Sequence, residues 1–205
     1  MKVEIIIMLI SISIIMLMIN LYFLNSRINS YSTDNIKIDS NMIYLDSLTL
    51  KQKLSQMIIV SGRRNNERVT NFNIGGIYLF GSKSREYYEN KIKAFNEDSR
   101  IKLFFSTDLE GYWNPFKRFY NSRTFSEIED LDDAGKLGDD HGRILAEIGF
   151  NMNFAPIAEA NGKVWDGRGF NGTSSDIANK SNAYISALQK HSIIGVVKHY
   201  PGGSI

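Results

Sequence analysis

Lys198 and His199 stand side by side between an apolar run, Ile193, Ile194, Gly195, Val196 and Val197, and a turn written Tyr200-Pro201-Gly202-Gly203-Ser204. A near-continuous Val/Ile segment reads as a buried parallel strand, and this one delivers a cationic pair to the loop at its carboxyl end, where barrel enzymes place their working groups. Other polar residues follow other apolar runs: Asp108 and Glu110 come after residues 101–107, Glu159 comes shortly after residues 151–155, and Arg118 and Arg168 lie in the long loops beyond. If the strands are parallel, all of these ends open on one face. Lysine, histidine, arginine and carboxylates around one concavity suit a polyhydroxylated ligand, because a charged partner gives each hydroxyl a stronger hydrogen bond than a neutral one.

Each residue also has a plainer reading. Asp108 after a strand fits a cap for the next segment, Glu110 a surface carboxylate, Lys117 and Arg118 a solvated pair, and Arg168, between Gly167 and Gly169, an ordinary loop position. His199 fits a structural imidazole, His141 and His191 fall in helical segments, and Trp113 and Trp165 fit loop packing as well as sugar platforms. The histidines are well separated and no carboxylates are spaced for a metal, so no metal site is expected. Hydrolysis by paired side chains also calls for no cofactor.

The elements that position these groups alternate. Thr49-Leu50-Lys51-Gln52 fits a capping box opening a short helix through Met57, and residues 57–60 fit a first strand. Residues 75–81 read as a second strand bounded by glycines, and 101–107 as a third; between them residues 84–98 have helical spacing in Tyr87, Tyr88, Ile92 and Phe95. Apolar positions three and four apart from Asp130 to Ile148 predict a helix that Gly149 ends. Residues 151–155 form a fourth strand, 174–191 a further helix, and 193–197 the fifth strand. Such alternation implies parallel strands with right-handed crossovers, either a doubly wound sheet or a barrel. No Gly-x-Gly-x-x-Gly follows the first strand, which disfavours dinucleotide binding.

Ahead of this body, residues 5–24 are almost wholly apolar, broken by Ser11, Ser13 and Asn20, a run long enough for a helix to cross about 30 Å of hydrocarbon. No small-x-small cleavage pattern follows Leu24. The run is expected to be an uncleaved transmembrane or signal-anchor helix with the body outside the cytoplasm, the alternative being secretion after signal cleavage. Residues 25–45 then read as a polar tether and 46–205 as the globular part. The chain has 205 residues, a formal net charge of +2 and no cysteine, so disulfides and thiolate metal sites are excluded. Its mixed charges carry no basic stripe for nucleic acid.

In order and spacing the pieces resemble the N-terminal barrel of family 3 glycoside hydrolases, most closely its β-N-acetylglucosaminidase branch. Gly75-Gly76-Ile77-Tyr78-Leu79-Phe80 resembles the family's Gly-Gly-apolar-apolar-Leu-Phe strand, and Thr107-Asp108-Leu109-Glu110-Gly111 its Asp-x-Glu-Gly-Gly element. Gly149-Phe150-Asn151-Met152-Asn153-Phe154-Ala155-Pro156-Ile157 is similar to Gly-x-Asn-x-Asn-Phe-Ala-Pro-Val, and Lys198-His199-Tyr200-Pro201-Gly202 to Lys-His-Phe-Pro-Gly. Four positions depart: Tyr112 replaces a glycine, Glu159 an aspartate, and Gly203-Ser204 the family's His-Gly.

The resemblance implies a partial TIM-type (β/α)8 barrel of about five βα units. It implies that Asp108, Arg118, Arg168, Lys198 and His199 bind the terminal sugar. It implies hydrolysis of terminal β-linked N-acetylglucosamine with retention, by a carboxylate nucleophile and an acid/base that both fall beyond Ile205, so that no catalytic residue lies within this chain. An open parallel edge and an uncovered interior would leave such a chain poorly stable and inert on its own. A β-glucosidase-type member of the family, or a carbohydrate-binding remnant without chemistry, fits the same residues.

Overall fold

The structure is a computed structural model that describes residues 13–22, 36–39, 42–63, 72–81, 83–159 and 167–202. The chain divides into two compact units, Met1–Lys51 and Gln52–Ile205.

In the first unit residues 13–22 are helical (α1). Among the described residues no helix is long and apolar enough to cross a membrane. The spanning helix expected over residues 5–24 is therefore not supported, and half of that run lies outside the described residues. The segment read as a tether without period contains a small antiparallel pair, β1 (Ile38–Asp39) and β2 (Met42–Ile43), with Ile38 opposite Ile43. Ser47 fastens its base: its Oγ accepts the Lys37 amide at 2.9 Å and donates to the Tyr44 carbonyl at 2.6 Å. Helix α2 (Leu50–Gln56) begins in this unit and continues into the second.

The second unit is built on a five-stranded parallel sheet, β3 (Ile59–Ser61), β4 (Gly76–Tyr78), β5 (Phe104–Thr107), β6 (Met152–Asn153) and β7 (Ile194–Gly195), paired in chain order. The register places Val60 beside Ile77, Ile77 beside Phe105, Thr107 beside Asn153 and Asn153 beside Gly195. The regular strands are shorter than the apolar runs that announced them. Backbone bonds nevertheless carry the pairing toward the carboxyl ends, from Leu79 N–H to Ser106 O, Phe154 N–H to Thr107 O and Val196 N–H to Asn153 O, each 2.9 Å.

Helices α3 (Arg85–Glu97), α4 (Leu131–Ile148) and α5 (Ser174–Lys190) alternate with the strands. Their ends have local causes. Ser84, Asp130 and Thr173 cap the three N-termini, each side chain accepting an amide three residues on. Gly149 closes α4 at φ 103°, a left-handed conformation that a side chain would oppose. Tyr88, Ile92 and Phe95 bury one face of α3, and Ala134, Leu137, His141, Ile144, Leu145 and Ile148 bury one stripe of α4. Gly138 lets α4 meet α5 closely, for a Cβ there would stand 2.3 Å from the Tyr184 carbonyl oxygen. Tyr88, Phe95, Phe105, Phe116, Phe125 and Tyr184 are fully buried or nearly so. Each such side chain stabilises the fold by roughly 1.5–3 kcal/mol, so this core fixes where the strand ends lie.

Candidate functional site

All five strands point the same way, so the residues after β4, β5, β6 and β7 share one rim. Four charged side chains meet there. Lys198 Nζ lies 2.7 Å from Asp108 Oδ1 and 2.5 Å from Glu110 Oε1. Arg168 grips Glu110 with a fork, Nε to Oε2 and Nη2 to Oε1, both at 2.9 Å. Two parallel charge-assisted bonds hold a planar guanidinium in one orientation, which a lysine could not match. Asp108 accepts a further hydrogen bond from the Tyr78 hydroxyl. Burial, followed by that bond and the charges of Asp108 and Glu110, pushes the Tyr78 phenol well above its ordinary range, so it donates and stays neutral.

Glu110 is the correction to the surface carboxylate considered above. It is fully buried, 0% exposed, and bridges the two cations. Nothing in its own type gave this away. It follows Asp108 by two residues, in the turn that Asn153 holds. Asp108 and Lys198, ninety positions apart, are joined as expected, and Arg168 stands with them through Glu110.

His199 is nearby in chain but differently held. Its Nδ1 lies 2.7 Å from Glu159 Oε1, and its backbone N–H donates to the same oxygen at 3.2 Å. The residue that departs from the family pattern therefore orients the imidazole. The segment before it is tied to the loop after β6 by backbone bonds, Lys198 N–H to Pro156 O at 3.0 Å and Ala158 N–H to Lys198 O at 2.9 Å.

Arg118 is not brought into the cluster. It is exposed, and its neighbour Lys117 lines the cavity instead. That cavity, about 380 Å³, is bounded by Tyr78, Phe80, Asp108, Trp113, Lys117 and Arg168, among others. The volume lies within the range of small-molecule sites. Tyr78 and Phe80 stack at 5.2 Å, and Trp113 is more than half exposed, so part of the wall is aromatic. Trp165 lies outside the described residues.

Behind the rim, Asn153 clamps the turn that carries both acids. Its Oδ1 accepts Leu109 N–H at 2.8 Å and its Nδ2 donates to Leu109 O at 3.0 Å. The same Nδ2 reaches the Tyr184 hydroxyl at 3.0 Å. Tyr184 meets His141 Nδ1 at 2.8 Å, and His141 Nε2 meets Ser122 Oγ at 2.6 Å. Ser122 donates to Arg123 O at 2.7 Å. These neighbours assign the tautomer: Tyr184 donates to Nδ1, and Nε2–H donates to Ser122. Burial pushes the His141 pKa down to about 3, so the ring is neutral and structural, as its helical placement indicated. His191 caps α5 and bonds Asp139 at 2.8 Å. Among the described residues no group of three His, Cys, Asp or Glu could hold a metal ion.

Parallel strands in chain order, with their charged groups gathered at one carboxyl-end rim, place the second unit among barrel-type α/β proteins that take small ligands there. The chain belongs to glycosyl hydrolase family 3: the family's N terminal domain matches residues 49–204. It is 22% identical over 169 residues to beta-hexosaminidase LpqI of Mycobacterium bovis and of Mycobacterium tuberculosis, covering 76% of this chain and 44% of theirs. The chain thus spans less than half the length of these curated relatives. Among solved structures, a family 3 beta-N-acetylglucosaminidase from a Paenibacillus species matches with a TM-score of 0.67 and 24% identity, over 76% of this chain and 34% of that one. The structure of M. tuberculosis LpqI matches with a TM-score of 0.66 and 21% identity, over 78% and 50%. These likenesses establish the shared fold.

Proposed function

We propose that this chain holds the terminal sugar of a glycoside, a β-linked N-acetylglucosamine of cell-wall or related material, for hydrolysis with retention of configuration. The observation that carries the reading is the cluster in which Asp108, Glu110, Lys198 and Arg168 fix one another beside an aromatic-walled cavity. Family membership and the names of the relatives support it. Lys198, held by two carboxylates, and Arg168, held by a fork, are preorganised donors for sugar hydroxyls. Asp108 is an acceptor, and His199, whose Nδ1–H donates to Glu159, offers its Nε2 as a further acceptor from the same rim. Their work is binding and orientation. In a retaining hydrolase a carboxylate attacks the anomeric carbon, while an acid/base protonates the leaving oxygen and then activates water. The paired carboxylates of this cluster are committed to cations, so they serve neither role.

Calorimetric titration of the purified chain with N-acetylglucosamine and with glucose tests the reading. Binding of the amino sugar, lost in Asp108→Ala, is the expected result. Preference for glucose would favour a β-glucosidase-type site, and uptake of neither sugar by a folded chain would overturn the proposal. Release of chromophore from an N-acetylglucosaminide by the chain alone would contradict the division between binding and chemistry. We also propose that the apolar run of residues 5–24, long enough to span a bilayer as a helix, attaches the chain to a membrane, with the body outside the cytoplasm. Recovery of the full chain in the soluble fraction would remove that part.

A further inference from the structure

Lys180 stands on the buried face of α5 with Ile177, Tyr184 and Leu188, and is only 7% exposed. Burying an ammonium opposes folding unless strong partners replace its water. Here the partners are two backbone carbonyls, Ile128 O at 3.0 Å and Asn171 O at 3.1 Å, both reached by the same Nζ. They belong to segments far apart in the chain, so the side chain is a charge-assisted clip between them.

Those two segments lie behind the fork that joins Arg168 to Glu110. Residues 167–171 carry Arg168 and run along residues 125–128. Ser126 Oγ donates to Gly167 O at 3.1 Å, Asn171 Nδ2 donates to Ser126 O at 2.9 Å, and the Phe125 and Phe170 rings meet with centroids 4.7 Å apart. The start of the same stretch abuts the turn that carries Glu110, since a Cβ on Gly111 would stand 2.0 Å from Arg123 O. Residues 123–128 thus touch both halves of the fork, and Lys180 fastens their far end to the Arg168 loop.

We infer that Lys180 is a positioning residue for the sugar site: its ammonium fixes the Arg168 loop against residues 123–128, and with it the seat of the guanidinium on Glu110. This rests on the sugar-binding reading above and extends it to a side chain outside the cavity wall. A two-armed bond between planar groups tolerates little misalignment, so a small shift of the loop opens one arm of the fork.

Lys180→Met keeps the apolar stem and removes the donors. Two readings on the purified chain judge it. The Nε–H proton resonance of Arg168 in a nitrogen-edited NMR spectrum, identified by its loss in Arg168→Lys, reports the fork without any ligand; calorimetric titration with N-acetylglucosamine reports the site. Lys180→Met is expected to lose the slowly exchanging Arg168 signal and about tenfold in sugar affinity, the worth of one well-placed charge-assisted hydrogen bond. Lys180→Arg, which can again donate to both carbonyls, should recover both. Asp130→Ala, destabilised at a cap remote from the fork, should keep both. Where Lys180→Met does not fold, Lys180→Gln, whose amide on a shorter stem falls short of bridging the two carbonyls, is read in the same two ways. A signal and an affinity that survive loss of the ammonium, or that fall equally in Asp130→Ala, overturn the inference and leave the sugar reading standing. A wild-type chain whose Arg168 signal depends on Lys180 but which takes up no sugar overturns the sugar reading and leaves the clip in place.

Discussion

Two buried polar clusters lie on either side of Asn153 and are built on opposite principles. At the rim, Glu110 is fully buried, and two cations hold it. Behind it, Tyr184 and His141 are equally buried but neutral, and they end on a serine and a backbone carbonyl. The rim cluster borders a cavity, so its donors can turn part of their capacity to a ligand. The inner chain runs from packed side chains to a half-buried serine and has its hydrogens already committed. A buried polar group is thus a ligand-binding element where its network reaches a cavity, and a structural one where the network closes.

The contrast can be broken most directly at Glu110. Glu110→Ala leaves Arg168 and Lys198 without their shared anion, and removing one partner of a buried pair costs about 3–5 kcal/mol. Urea denaturation should show that loss together with loss of sugar binding. A stable variant that still binds sugar would mean the two cations are held by other means.

The inner cluster responds to acid. His141 has a native pKa of about 3 against an ordinary 6.5, so below that ordinary value the unfolded chain binds a proton that the native chain excludes. Its contribution is intact above pH 6.5 and is lost as pH falls toward the native value. The slope is about 1.4 kcal/mol per pH unit. Urea midpoints measured over this range should show the decline, and His141→Gln should flatten it; identical profiles for the two proteins would remove His141 from the account.

Tyr184→Phe sharpens the comparison from the same side. It strips Asn153 Nδ2 and His141 Nδ1 of a partner, which should cost about 1–3 kcal/mol. Sugar affinity should fall by less than it does in Asp108→Ala, since Leu109 still anchors Asn153. A larger loss of affinity than of stability would show that the closed network governs the rim. The smallest effect belongs to a site remote from both. Asp130→Ala removes the N-cap of α4 and should lower stability by about 1 kcal/mol with sugar binding unchanged.

Much of the fold could be read from local signals. Ser84, Asp130 and Gly149 mark their helix ends because capping depends on the residue and its immediate neighbours. The order of strands was legible because apolar runs alternated with helical periods. Strand lengths were not, since a ladder ends where the partner diverges, which the sequence of one strand does not record. The site divides in the same way. Asp108 and Lys198 were singled out by their positions at strand ends, and Arg168 by the family resemblance alone. Glu110 was undervalued because its burial depends on two cations from distant segments. Lys117 lines the cavity while the adjacent Arg118 is exposed outside its lining, a one-residue difference that spacing from Asp108 does not record. The buried Lys180, donating to the carbonyls of Ile128 and Asn171, left no sequence signal at all.

The strand order 3-4-5-6-7 bears on how the polypeptide acquires its shape during synthesis. Each strand leaving the ribosome finds its neighbour already made, and no gap waits for a later segment to be threaded between earlier ones. That order allows the sheet to grow vectorially, with Lys198, which joins Asp108 and Glu110, emerging after both of its partners.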